Sequence, residues 1–449
     1  MVKTILLATV FGGILHLSAQ TEPTAGQWTT WVIPSGAAYR VPPPPDAAAT
    51  AQELASIKNN VSGLDAAALA QIRYWDAGAP GYHWMQLTQQ LAISAGLATP
   101  LQTRALALVA AAIYDATVAA WDSKYAYMRQ LPADLDPTIE PLVKAVPAPS
   151  YPSEHAATAA AAAAVLAYLF PDQASSVANM AKQAGTSRVL AGAAFPSDVA
   201  VGMDLGNQVG QAFIAFAQAD GSNQPFTGSY PSSAAVWGSP TPVAPLASMW
   251  VPWVLAGADE FRPPAPPAFS SADANAQYSA VKNLQRTNTT NHLAWFWQPG
   301  FFQPWLQQDE TEIFQSHLDQ NPPRAARVYA LQTIAQHDAT LACWDAKYSY
   351  LELRPPQADP TITPLFALPQ HPGYPSGHAC ASGASAAVLG YLFPDDSPVL
   401  ASMAKDAGDS TFYAAIHTQL DVSAGLVLGR QVGNKTVAHA ESDGADQDE

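Results

Sequence analysis

Small and apolar residues fill this chain in long blocks, and strict alternation of apolar and polar positions is scarce. That pattern predicts helices rather than strands, an all-α fold. The block Ala156 to Leu166 is largely alanine, the strongest helix former. Two blocks open at a Pro-Ser-x-His step, at Ser153/His155 and Ser376/His378. Both close at Tyr-Leu-Phe-Pro, where a proline stops the helix. Upstream of each, a helix is predicted through Asp-Ala-Thr and Trp-Asp-x-Lys-Tyr. Downstream of each, one helix carries Met-Ala-Lys and a last one leads to Gly-x-Gln-Val-Gly.

The two series are one pattern displaced by 223 positions. Arg104, Asp115, Trp121 and Lys124 recur as Arg327, Asp338, Trp344 and Lys347, and Asp136 to Ile139 recurs as Asp359 to Ile362. We read this as internal duplication into two tandem helical-bundle units, 104–210 and 327–433. An extended and helical segment, 20–103, precedes them. A long Pro-rich connecting segment, 211–326, separates them, and an acidic tail, 434–449, follows. Pro, Ser and Trp crowd the connection up to Phe269, as in an ordered surface loop. Helix-like stretches follow at Ala274 to Leu284 and Thr290 to Trp297. Of Trp295, Phe296 and Trp297, at least two are expected to pack between units, although all three could line a substrate mouth.

Composition narrows the function. With 449 residues, 49% of them hydrophobic and 12% charged, the chain can build a sizeable core. A formal charge of −16 argues against nucleic acid or an anionic membrane surface as partner. Lys3, the apolar stretch Ile5 to Leu17 and Ser18-Ala19 read as a signal peptide, 1–19, and imply a secreted or periplasmic protein. No later segment approaches ~20 uninterrupted apolar residues, so no membrane span is expected. Cys343 and Cys380 flank the candidate chemistry, and a disulfide or two buried thiols both fit the sequence. The stretch Glu441 to Glu449 reads as a solvated, disordered end.

The chemistry concentrates in the second unit. Ser376 stands at an N-cap position and Gly377 where backbone can approach a ligand, at a helix N-terminus that favours anions. Lys347 and Arg354, seven apart, are expected to share a helix face and offer a point charge and a bidentate fork. His417 and Asp421, four apart, are expected on one helix, the carboxylate fixing the imidazole tautomer. His378 supplies an acid–base group. Cations, donors and two histidines suit a tetrahedral oxyanion.

Lys-x6-Arg-Pro, Pro-Ser-Gly-His and Ser-x6-His-x3-Asp resemble the signature of type-2 phosphatidic acid phosphatases, bacterial acid phosphatases and vanadium-dependent haloperoxidases. The chain is most similar to the bacterial haloperoxidase-like branch, through Ala342 to Tyr348, Gly373 to His378 and Gln285 to Trp297. The resemblance implies that Lys347, Arg354, Ser376, Gly377 and His378 bind and work on the oxyanion. His417 would be the axial ligand of vanadate, or the nucleophile of a phosphatase, with Asp421 orienting it. The implied activity is halide oxidation by hydrogen peroxide with vanadate as cofactor. A secreted acid phosphatase hydrolysing phosphate esters through a phospho-histidine, without cofactor, is the alternative, and a non-catalytic oxyanion-binding relative the third.

Two departures matter. The signature's Ser-Arg is Ser410-Thr411 here, so Thr411 offers a neutral hydroxyl where a cation belongs. The first unit keeps Lys124, Ser153, His155, Ser187, Arg188 and Asp198. It has Leu131, Glu154 and Ala194 where the second has Arg354, Gly377 and His417. It is expected to be a structural copy, with Arg188 paired to a carboxylate.

Overall fold

The computed structural model describes residues 21–61 and 63–445. The expected signal peptide lies outside the described residues. Helices α1 (Ala47–Val61), α2 (Ala66–Trp75) and α3 (Tyr82–Ser94) lead into the first bundle. That bundle comprises α4 (Thr99–Tyr127), the single turn α5 (Pro132–Leu135), α6 (Glu154–Leu169), α7 (Ala174–Leu190) and α8 (Pro196–Ala219). After a long irregular stretch come α9 (Ala272–Lys282), α10 (Asn288–Trp297) and α11 (Phe302–Gln315). The second bundle repeats the first as α12 (Pro322–Tyr350), α13 (Pro355–Ala358), α14 (Gly377–Leu392), α15 (Ser397–Tyr413) and α16 (Gln419–Ala440). The all-α reading holds; the described residues carry one isolated bridge, Tyr230 with Ser239.

Details recur with the helices. Met128 and Leu351, which end α4 and α12, are both left-handed, and the prolines after Tyr151 and Tyr374 are both cis. Arg104 reaches Asp220 and the Ala217 carbonyl as Arg327 reaches Asp443 and the Ala440 carbonyl. The buried Asp115 accepts the amides of Trp31, Val32 and Ile33, and Asp338 those of Trp253, Val254 and Leu255. Burial pushes these carboxyls up to about 7 and about 6. Arg40 binds Asp122 as Arg262 binds Asp345. The repeat therefore reaches upstream of Arg104 and Arg327, and the segment between the bundles contains the counterpart of the amino-terminal one.

The units share a core. Helices α4 and α12 pack on each other, and one apolar cluster runs from Ala107 and Ile113 to Val328 and Ile334. By length and composition α4 could cross a membrane, but 94% of its apolar window is buried in the fold. The Gly-x-Gln-Val-Gly motifs are crossing points within helices that run on to Ala219 and Ala440. A Cβ at Gly206 would stand 2.1 Å from the Ala157 carbonyl oxygen, and one at Gly429 1.9 Å from that of Cys380. These glycines bring α8 onto α6 and α16 onto α14, setting the helix that carries the Pro-Ser-Gly-His step.

The acidic end is partly structured, against the expectation of a solvated tail from Glu441. Asp443 is buried and its carboxylate closes on Arg327 at 2.7 Å, while Arg324 binds the Ala445 carbonyl. A buried guanidinium needs a partner, and the chain end supplies it.

Candidate active site

The site forms where α12 ends, α14 begins and the α15–α16 turn passes over both. Lys347 is fully buried in the last turn of α12. Its Nζ donates to the carbonyls of Pro372 (3.0 Å), Gly373 (2.9 Å) and Pro375. Burial pulls its ammonium down to about 8. Arg354 does not share that helix face: α12 stops at Tyr350, Leu351 turns left-handed, and Arg354 caps α13. Fully buried, it donates from Nη1 to the Ile416 carbonyl at 2.9 Å and to His417 Nε2 at 3.2 Å.

His417 and Asp421 also meet without sharing a helix. His417 precedes the cap of α16, where Thr418 and Asp421 form a capping box. Asp421 at N3 accepts from the Thr418 amide (2.9 Å) and from His417 Nδ1 (3.0 Å). Burial, then the charges of Arg354 and Lys347, hold His417 well below the ordinary imidazole range. The ring is neutral, its proton is on Nδ1, and Nε2 keeps a lone pair toward the guanidinium.

Ser376 caps α14, accepting from the Ala379 amide, and donates to Thr411 Oγ1 at 3.2 Å. Thr411 spends its own proton on the Gly408 carbonyl at 2.7 Å. The neutral substitute therefore occupies Ser376 rather than adding a donor. Ser410 bonds back to the Ala407 carbonyl and contributes nothing to the site. His378 Nε2 donates to the Trp297 carbonyl at 2.9 Å, and burial lowers the ring to about 4. The first amides of α14, at Gly377 and His378, have no acceptor within the helix. A Cβ on Gly377 would meet only a Trp344 ring carbon, at 3.6 Å.

Two residues escaped sequence reasoning. His371 bonds Arg354 Nη2 at 3.2 Å and lies against Trp344. Glu352 lies beside Asp421; burial first, then that charge, push it up to about 9, so it is protonated. Its counterpart in the first unit is Arg129, which pairs with Asp198 at 2.6 Å. Where no histidine exists, an arginine neutralises the aspartate, and where His417 exists a neutral acid takes its place. Neither residue lies in a motif, and only the repeat register could have drawn attention to position 352.

A carboxylate already occupies this geometry in the first unit. Glu154, at the position of Gly377, binds Lys124 (2.8 Å) and His155 Nδ1 (2.8 Å). The space over Gly377 thus fits an anion bridging Lys347 and His378, with Arg354 and His417 Nε2 close by. Among the described residues no cluster of three His, Cys, Asp or Glu is placed to hold a metal ion. Cationic donors around a nitrogen lone pair suit vanadate or phosphate instead.

Arg188 is paired, as expected, with Asp76 at 2.8 Å. The aromatic expectation is corrected: Trp297 packs at 2% exposure, but Trp295 and Phe296 are 53% and 51% exposed, because only one face of α10 meets the bundle. Cys343 and Cys380 are both buried, free thiols.

The model of the PAP2 superfamily matches residues 103–221 and again 326–438. Among curated proteins none matches the chain. Solved structures that share the fold include three bacterial haloperoxidase structures. A bacterial vanadium-dependent iodoperoxidase superposes with a TM-score of 0.63 at 21% identity, covering 80% of this chain and 96% of its own. A holo-type bacterial vanadium-dependent chloroperoxidase gives 0.57 at 15% identity, over 77% and 93%. An apo-type bacterial vanadium-dependent chloroperoxidase gives 0.57 at 14%, over 75% and 92%.

Proposed function

For a chain that belongs to the PAP2 superfamily, we propose a vanadate-dependent, haloperoxidase-like oxidation of halide by hydrogen peroxide, carried by the second unit. The observation that carries this reading is His417 Nε2: its lone pair is directed by Asp421 and faces the fully buried Arg354. Vanadate, held by His417, Lys347, Arg354, Ser376 and the amides of Gly377 and His378, would supply the Lewis acidity that activates peroxide.

The side chains have separable tasks. Asp421 keeps the proton on His417 Nδ1, so Nε2 remains a ligand atom. Arg354 and Lys347 offset anionic charge in a site without water-like screening. His378 uses Nε2–H on the Trp297 carbonyl, so a proton arriving at the site is taken up by Nδ1. An anion beside it raises its low pKa, which turns a resting base into a proton carrier as ligand binds.

One observation favours a second reading. With Thr411 in place of a third cation, two positive charges suit a transient phosphate ester better than a retained cofactor. His417 Nε2 would then attack phosphorus and His378 would protonate the leaving alcohol. Purified protein assayed for peroxide-dependent halide oxidation and for aryl-phosphate hydrolysis, each with and without vanadate, separates the two. Vanadate activates a peroxidase and inhibits a phosphatase. Silence in both assays with oxyanion binding retained identifies a non-catalytic relative. Export through residues 1–19 is part of the proposal and is tested by amino-terminal sequencing of protein recovered outside the cytoplasm.

A further inference from the structure

The two units display one anion seat in two states. In both, the lysine ending the long helix donates to the same pair of carbonyls, Pro149 (2.6 Å) and Ser150 (3.2 Å) for Lys124, Pro372 and Gly373 for Lys347. They differ in the third bond. Lys347 turns it to the Pro375 carbonyl, whereas Lys124 turns it to the Glu154 carboxylate at 2.8 Å. The second oxygen of Glu154 takes His155 Nδ1. A carboxylate thus sits at the start of α6 where a free anion would bridge lysine and histidine.

The rest of the seat remains built around it. Lys124 is 3% and Arg188 6% exposed, and both border a small cavity of about 70 Å³ with Ser153, Glu154 and His155. Arg188 engages Asp76 through Nη1 only; its Nε and Nη2 have no acceptor among the described residues. Burial opposes charge on Glu154, yet Lys124 and His155 hold it well below the ordinary carboxylate range.

We propose that the first unit is a second oxyanion-binding site, specific for small phosphate-like anions and kept closed by its own Glu154 carboxylate. Ala194 denies it an axial nitrogen, so once Glu154 is removed it binds an anion without turning it over. The proposal stands apart from the chemistry assigned to the second unit, because it concerns only the number of anions bound.

The test is equilibrium dialysis of the full chain with labelled inorganic phosphate, with thermal melting alongside. Wild type binds at most one phosphate per chain. Glu154→Gly, the residue of the second unit, and Glu154→Ala each bind one more, and adding Arg188→Ala removes the extra site while leaving the first. A variant that folds only in phosphate also supports the proposal, since the anion then replaces the lost carboxylate. Two sites already present in wild type, folded variants with an unchanged count, or unfolded variants that phosphate does not rescue would overturn it. Loss of the wild-type site alone, with the extra site intact, refutes the second-unit assignment and leaves this one standing.

Discussion

Thr411→Arg restores the cation that the second unit lacks, and the structure says what it should cost. Thr411 is 2% exposed and bonds Gly408 and Ser376. In the first unit Arg188 fills the matching position and is neutralised by Asp76, but the residue 223 positions beyond Asp76 is Pro299. The introduced guanidinium would enter the seat that holds Arg354 and Lys347 without the carboxylate that Asp76 gives Arg188. An unpaired buried charge costs about 3–5 kcal/mol, and the lost Ser376 bond adds about 1 kcal/mol. With an oxyanion bound, the same group becomes a charge-assisted donor worth about 3 kcal/mol, or roughly 100-fold in affinity. The variant should therefore melt below wild type in oxyanion-free buffer, recover most of the difference in excess vanadate, and bind vanadate about 100-fold more tightly by titration calorimetry. Equal melting without anion, or affinity within about threefold of wild type, would refute the argument that charge at position 411 limits the seat.

Three further outcomes follow from the same geometry. Asp421→Asn should leave anion affinity within about tenfold but lower turnover by about 10³–10⁴, because the amide no longer holds the proton on Nδ1; full turnover would remove Asp421 from the mechanism. Oxyanion affinity should fall as pH rises through about 8, where Lys347 loses its proton and its positive charge. Lys347→Arg, which stays charged, should flatten that limb in a phosphate titration from pH 6 to 10. Asp443→Ala should destabilise the fold by about 3–5 kcal/mol in urea, since it removes the carboxylate that neutralises the buried Arg327; a loss below about 1 kcal/mol would make Asp443 dispensable.

Much of this protein is legible in its sequence because helix signals are local. Prolines after Tyr-Leu-Phe, Ser caps before His155 and His378, and alanine blocks placed α6 and α14 correctly, and the 223-residue register tied the bundles together. The stretches that form α9 and α10 were visible as helix-like for the same reason. Legibility failed where one residue answers to another far along the chain. Lys347 and Arg354 meet across a helix end, not along a helix, because the left-handed Leu351 redirects the backbone. His417 meets Asp421 across a capping box. Glu352 and His371 belong to no motif and reach the site through the α12–α14 connection.

By itself the sequence determined the class, the duplication and the residue types of the seat, since periodicity, caps and motif spacing are properties of neighbouring residues. Only the tertiary structure decided that Thr411 satisfies Ser376, that Asp443 neutralises Arg327, and that Glu154 fills in one unit the space that Gly377 leaves open in the other. Each of these outcomes depends on which charges and hydrogen bonds find partners once water is excluded, and partners separated by 35, 116 or 30 residues are chosen by packing.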